Sequence, residues 1–99
     1  MKWNRTDLEN EVRLGIDGAL DALTARDLRP ILDGLVAEKP KRVVVDLEGL
    51  TLIDSSGIGA LVSLFKRVKA DGGTVVVVHA HDQPLAVLKL LKLDRIFGI

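Results

Sequence analysis

Two runs of β-branched residues constrain the fold of this chain more than any other feature. Residues 42–47 include three consecutive valines, and residues 74–79 include four. Unbroken apolar runs of this kind predict strands that are buried on both faces, as in parallel sheets. Residues 57–70, between the two runs, repeat apolar side chains at helical spacing. Strand, helix and strand in this order predict a right-handed βαβ unit with parallel strands.

Further elements are predicted on both sides of this unit. Residues 12–16 alternate apolar and polar side chains, which indicates a strand with one wet face, and residues 3–7 are predicted to pair with it as a hairpin. Asp82-Gln83-Pro84 predicts the start of a helix, because proline suits the first helical turn. Residues 96–99 are predicted to form either a short edge strand or a tail.

A helix is also predicted between the hairpin and the first valine run. Its expected N-cap is Thr24, with the acidic residue Asp27 three positions later, and it is expected to run to about Ala37. Pro30 lies inside this stretch and removes one backbone donor. The helix is therefore predicted to kink at Pro30 or to restart one turn into the pattern.

Composition sets the class of protein. Ninety-nine residues predict a single domain over residues 1–99. The hairpin and the βαβ unit make it an α/β domain, with a mixed sheet of about four to five strands and helices packed against it. A net charge of zero argues against nucleic-acid binding, which needs a basic excess. The absence of cysteine excludes disulfides and thiolate catalysis. No apolar run reaches the roughly 18 residues of a membrane span, so no membrane insertion is expected, and we expect a cytoplasmic protein.

The segment from Asp46 to Gly59 is the most informative for function. It runs from the carboxyl end of a predicted strand to the amino end of a predicted helix, the edge at which α/β sheets place ligands. Ser55 and Ser56, which follow Asp54, suit either of two roles there. One serine could cap the helix, which is the commoner role for such a pattern. One could instead accept a phosphoryl group, which the helix end would stabilise.

Residues 43–61 resemble the STAS domain of bacterial anti-sigma factor antagonists. In that family a buried strand and an aspartate precede Asp-Ser-Ser/Thr-Gly-Leu-Gly, which is matched here by residues 54–59 with Ile58 in place of leucine. Residues 18–24 resemble the family motif Gly-Glu-Leu-Asp-x-x-Thr, with Ala19 in place of the glutamate, and residues 72–75 resemble a later motif. The resemblance implies the STAS fold over nearly the whole chain.

The same resemblance implies a switching mechanism. The unphosphorylated family member binds an anti-sigma factor serine kinase, which then releases its sigma factor. The kinase phosphorylates the first serine after the aspartate, Ser55 here, and the phosphorylated form dissociates until a phosphatase resets it. The chain is then a substrate and not an enzyme, and it needs no cofactor. Its expected partner-binding residues are Asp21, Asp54, Ser55, Ser56, Gly57 and Ile58.

Other interpretations stay open beside this one. A STAS protein could be a scaffold of a stress-sensing complex, in which the same serine is phosphorylated but the partner is another STAS protein. It could also be an accessory subunit of a lipid-transport ATPase, which needs no phosphorylation cycle. His79-Ala80-His81 could contribute to a metal site only with a further ligand, so a polar strand end and no metal are expected. The chain ends at Ile99, where the family's common final helix is expected to be missing.

Overall fold

The computed structural model describes residues 1–99 and shows five strands and three helices. In chain order these elements are β1 (Lys2–Leu8), β2 (Glu11–Leu20), α1 (Ala22–Ala37), β3 (Arg42–Asp46), β4 (Leu50–Ile53), α2 (Ser55–Ala70), β5 (Thr74–Val78) and α3 (Asp82–Leu90). The predicted α/β class is confirmed, with β3, α2 and β5 as the predicted βαβ unit. None of the three helices is long and apolar enough to cross a membrane.

The sheet is mixed, and one of its strands changes partner. The strand order is β1-β2-β3-β5, with β1 antiparallel to β2 and the other pairs parallel. The predicted hairpin is confirmed, and Asn10 takes the left-handed conformation in its turn. The ten-residue β2 pairs with β3 over Val12–Gly15 and then with β4 over Gly18–Leu20. The sequence pattern does not predict the four-residue strand β4.

Gly18 makes this change of partner possible. Its φ of 89° lies in the left-handed region, which costs glycine little and other residues much more. The register of the β2–β4 pairing shifts between Gly18 and Ala19, as at a β-bulge, and the Gly18 amide donates to the carbonyl of Gly49. The end of β2 is thereby brought beside β4.

Nineteen buried aliphatic side chains and Phe97 form one core of 20 residues between the sheet and the helices. Val43, Val44 and Val45 are all buried, so β3 is covered on both faces as predicted. The same prediction for β5 is wrong for one face, because Val76 and Val78 are only partly buried. β5 lies at the end of the main strand order, where its second face has less cover.

The start of α1 differs from the prediction. Asp21, and not Thr24, is the N-cap, and Thr24 is the third residue of the helix. The side chain of Asp21 accepts from the Thr24 backbone, and that of Thr24 accepts from the Asp21 amide, so the two form a reciprocal capping box. The helix continues through Pro30 to Ala37 without restarting. Pro30 is exposed, so water can reach the carbonyl that its missing N–H leaves unpaired.

The last residues form neither a regular strand nor a free tail. Residues 94–98 are turns, and the backbone carbonyl of Phe97 accepts a hydrogen bond of 2.8 Å from the Val77 amide on the edge of β5. The Phe97 side chain is fully buried and meets Phe65 of α2 edge-to-face at 5.7 Å. This aromatic pair holds the carboxyl-terminal segment against the core.

Candidate functional site

The pairing of β2 with β4 brings the starts of α1 and α2 together. Leu20 is in register with Ile53, and each strand is followed at once by an aspartate that caps the next helix. The backbone amide of Asp54 donates to the Leu20 carbonyl at 3.1 Å. Asp21 and Asp54 therefore lie at the same edge of the sheet.

Asp54 is the N-cap of α2, and its carboxylate accepts a hydrogen bond of 3.0 Å from the Gly57 amide. Asp54 therefore takes the capping role that the sequence left open for Ser55 or Ser56. Both serines lie in the first turn of α2 and are exposed, and neither hydroxyl makes a hydrogen bond within the chain. Their hydroxyls are free to react, because a neighbouring carboxylate already performs the capping.

The charge of Asp21 is held in place by its capping box. Its Oδ1 accepts from the Leu23 and Thr24 amides, each at 3.0 Å. The Thr24 amide first, and then the Thr24 hydroxyl, keep the pKa of Asp21 below its usual value. Asp21 is thus ionised at neutral pH, and the edge of the sheet that carries the serines also carries the carboxylates of Asp21 and Asp54.

Gly57 allows α2 to approach the sheet closely. A Cβ atom at this position would lie 2.7 Å from the Leu20 carbonyl oxygen and 2.7 Å from Cγ1 of Ile53, both closer than real Cβ contacts. Gly57 is buried, and Ile58 is only 8% exposed. These two residues therefore set the position of Ser55 through packing.

Gln83 is a site-forming residue that the sequence reasoning missed. Its side-chain oxygen accepts from the Ile53 amide and its side-chain nitrogen donates to the Ile53 carbonyl, both at 2.9 Å. The amide group thus pairs with the free edge of β4 as another strand would. Gln83 fixes the residue that immediately precedes Asp54, and no sequence pattern indicates this contact across 30 residues.

Two exposed leucines flank the capping aspartates. Leu23 is 66% exposed in the first turn of α1, and Leu52 is 48% exposed on β4. Sequence reasoning did not select either residue. A signal existed for Leu23, since it lies outside the buried series Ala25, Leu28, Leu32 and Leu35. Both side chains thus expose apolar surface within two residues of a capping aspartate.

The histidine motif is divided between two environments. His79 Nδ1 lies 3.0 Å from Asp46 Oδ1, whereas His81 contacts the Glu48 carbonyl and Asp82, each at 2.6 Å. The Glu48 carbonyl first, and then Asp82, raise the pKa of His81. The side chains that could hold a metal ion are Asp46, Glu48 and His79, whose ligand atoms lie within 4.8 Å of one another.

The charge of Asp46 is set by opposing effects. Partial burial works against its ionisation, but the hydrogen bonds from the Glu48 amide and from His79 outweigh that effect, so the pKa of Asp46 is lowered. An ionised Asp46 beside His79 accounts for their contact without a metal.

The fold and the site define a small α/β module that presents serines on a capped helix start. The family model of the STAS domain matches residues 3–99, and the chain therefore belongs to the STAS domain family. It is 30% identical over 91 residues to the anti-sigma-B factor antagonist of Bacillus subtilis, covering 92% of this chain and 83% of that protein.

Solved structures share the fold. A putative anti-sigma factor antagonist from Thermotoga maritima has a TM-score of 0.87 at 23% identity, with 95% of this chain and 81% of that chain covered. The Bacillus cell fate determinant SpoIIAA in its phosphorylated form has a TM-score of 0.78 at 16% identity, with coverage of 96% and 87%. The α/β class, the mixed sheet and the packed helices predicted from sequence are those of the STAS fold.

Proposed function

We propose that this chain is an anti-sigma factor antagonist that binds an anti-sigma factor serine kinase, and that phosphorylation of Ser55 ends the binding. The observation that carries the proposal is the exposed, unbonded hydroxyl of Ser55, placed directly after the capping aspartate Asp54. The Bacillus subtilis relative, an anti-sigma-B factor antagonist, supports the general role. The phosphorylated form of SpoIIAA supports a phosphorylation step in a protein of this fold.

The phosphoryl transfer makes the chain a substrate and not an enzyme. The Ser55 oxygen attacks the γ-phosphorus of ATP held by the kinase, the bond to the bridging oxygen breaks, and ADP leaves. The hydroxyl proton passes to a base of the kinase. A phosphatase then hydrolyses the phosphate ester and restores the serine. Nothing in this sequence of steps requires a cofactor on the chain itself.

Electrostatics explain why the phosphoryl group ends binding. It adds roughly 1.5 to 2 negative charges at neutral pH. The carboxylates of Asp21 and Asp54 already lie at this edge, so the added charge makes the surface strongly anionic. The amino end of α2 offsets part of that charge within the folded chain. This charge would repel a kinase surface that fits the neutral serine. Binding would also require the phosphate to lose its hydration shell.

The partner-contact surface consists of exposed groups around Ser55. From the sequence we retain Asp21, Asp54, Ser55 and Ser56, and the structure adds the exposed side chains of Leu23 and Leu52. Gly57 and Ile58 remain part of the proposal as buried positioning residues. An apolar pair beside charged caps offers a partner both hydrophobic burial and orientation.

The test compares three forms of the chain as affinity bait in a lysate of the host cell. Wild type and Ser55→Ala are expected to capture the same ATP-binding kinase, and Ser55→Asp is expected to lose it. The captured kinase with ATP should then add one phosphoryl group to wild type and none to Ser55→Ala, as read by intact mass. Equal capture of one partner by all three forms would exclude the switch and favour a constitutive scaffold or ATPase subunit.

A further inference from the structure

A polar groove lies between α1 and α2. It has a volume of about 580 Å³ and begins at Ser56, next to the proposed phosphorylation site. Along α2 its floor consists of small residues, and three arginines line it from both helices. The residues that matter here are Arg26, Arg29, Ser56, Gly59, Ser63 and Arg67.

The groove concentrates positive charge in a chain whose net charge is zero. No carboxylate is among its lining residues. Arg26 and Arg29 form no ion pair within the chain, unlike Arg5, Arg42 and Arg67. Arg67 is already paired with Asp33, through Nη1 at 2.7 Å. Because Arg26 and Arg29 are exposed and unpaired, their guanidinium donors are available to an anionic ligand in the groove.

The shape of the groove favours an elongated occupant. Its lining follows α2 from Ser56 to Arg67, which corresponds to about 16 Å of helix. A Cβ at Gly59 would meet nothing within 4 Å, so the middle of the floor is open. Arg26 and Arg29 lie one helical turn apart on the rim. A helix or extended segment laid along α2 would thus meet cationic groups along most of its length.

We propose that this groove receives an acidic segment of the same protein partner that contacts Ser55. The proposal rests on the function proposed above, because Ser56 belongs to both the groove and the partner-contact surface. Charge complementarity selects a segment rich in aspartate and glutamate. Ser55 does not line the groove, so its phosphorylation would end the binding through the Ser55 contact and leave the groove itself unchanged.

The first test uses a defined probe and needs no kinase. The isotope-labelled chain is titrated with an alanine-based helical peptide that carries glutamate at every fourth position, and with its glutamine analogue. The glutamate peptide is expected to shift amide resonances along the groove, and the glutamine peptide is not. Arg26→Glu/Arg29→Glu should lower the affinity for the glutamate peptide by at least about tenfold. Lys41→Glu/Lys89→Glu, the matched control with exposed lysines elsewhere, should leave the affinity unchanged.

Two results would overturn this assignment. One is an equal loss of peptide binding in both charge-reversed variants, which would show attraction to overall charge only. The other is displacement of the peptide by inorganic phosphate at equal concentration, which would indicate a small-anion site. Thermal melts of both variants should match wild type, since the four side chains are exposed.

A second test involves the partner and separates the two proposals. Arg26→Glu/Arg29→Glu should capture less of the kinase than the lysine control does, with Ser55 unmodified in both. Undiminished capture by the arginine variant would refute the groove as a docking site while leaving the Ser55 switch intact. Conversely, if the capture experiment showed no effect of Ser55→Asp, the switch would be refuted, and the peptide titration would still test the groove because it needs no kinase.

Discussion

Replacing Gly57 and Gly59 by alanine, one at a time, should change stability in opposite directions although the two positions lie in the same helix. In a helix interior alanine is favoured over glycine by about 1 kcal/mol. Gly59 is exposed and has free space around its Cβ, so Gly59→Ala should raise the free energy of unfolding by about 0.5–1 kcal/mol.

At Gly57 the new methyl group would lie 2.7 Å from a backbone oxygen, that of Leu20, which cannot rotate away. Overpacking of this kind costs about 1–3 kcal/mol, and here it separates α2 from both β2 and β4. The helical preference for alanine recovers part of that cost. Gly57→Ala should therefore lower the free energy of unfolding by about 1–2 kcal/mol, so the two variants should differ by about 1.5–3 kcal/mol.

Urea unfolding monitored by circular dichroism measures both changes, provided that the slope against urea stays that of wild type. Gly34→Ala in α1, which is also exposed and unobstructed, provides a second reference for the gain expected from alanine alone. If Gly57→Ala were as stable as Gly59→Ala, the close approach of α2 to Leu20 would not constrain the site, and the positioning role assigned to Gly57 would be wrong.

Three further predictions concern the groups around the helix starts. Asp21→Ala should lower the free energy of unfolding because it removes the capping box of α1. Because the folded-state pKa of Asp21 is depressed, this contribution should be present above the ordinary carboxyl range and be lost as the pH falls below about 4. Gln83→Ala removes two hydrogen bonds to Ile53 and should cost about 1–3 kcal/mol, with faster hydrogen exchange of the Ile53 amide as the local readout. Because the pKa of His81 is raised in the folded state, protonated His81 should stabilise the fold below pH 6.5, the ordinary pKa of histidine. This stabilisation should be lost as the pH rises through the folded-state pKa, and His81→Gln should remove that pH dependence from a profile of stability against pH.

The elements with strong periodicity could be predicted from sequence, and the shortest one could not. β3 and β5 carry unbroken valine runs and α2 carries a clear helical stripe, and these patterns indicate strand or helix without reference to distant residues. β4 has four residues, and its existence depends on pairing with a segment of β2 about 30 residues away. That pairing requires β2 to leave β3 at the Gly18 bulge. A glycine at an alternating strand pattern permits such a bulge but does not specify it.

The same gap explains why the helix caps could not be predicted. Aspartate, serine and threonine are all good N-caps, so local preference cannot choose between Asp54 and Ser55, or between Asp21 and Thr24. The choice is made by where the preceding strand ends. β2 ends at Leu20 and β4 at Ile53, and in each case the next residue is the aspartate. The proximity of Asp21 and Asp54 could be inferred without this knowledge, because parallel strands end at a shared edge.

The position of the cap also determines what phosphorylation can do to the fold. If Ser55 were the N-cap, a phosphoryl group on its oxygen would replace the hydrogen bond that starts α2, and the switch would alter the helix itself. Asp54 instead binds the Gly57 amide and donates its own amide to Leu20, so α2 remains anchored whether or not Ser55 is modified. The proposed switch can therefore change the charge of the contact surface while the scaffold that presents it stays the same. Removing the cap in Asp54→Ala should then lower the free energy of unfolding by about 0.5–2 kcal/mol while leaving the Ser55 hydroxyl in place. A variant that kept full stability would show that Ser55 can replace Asp54 as the cap.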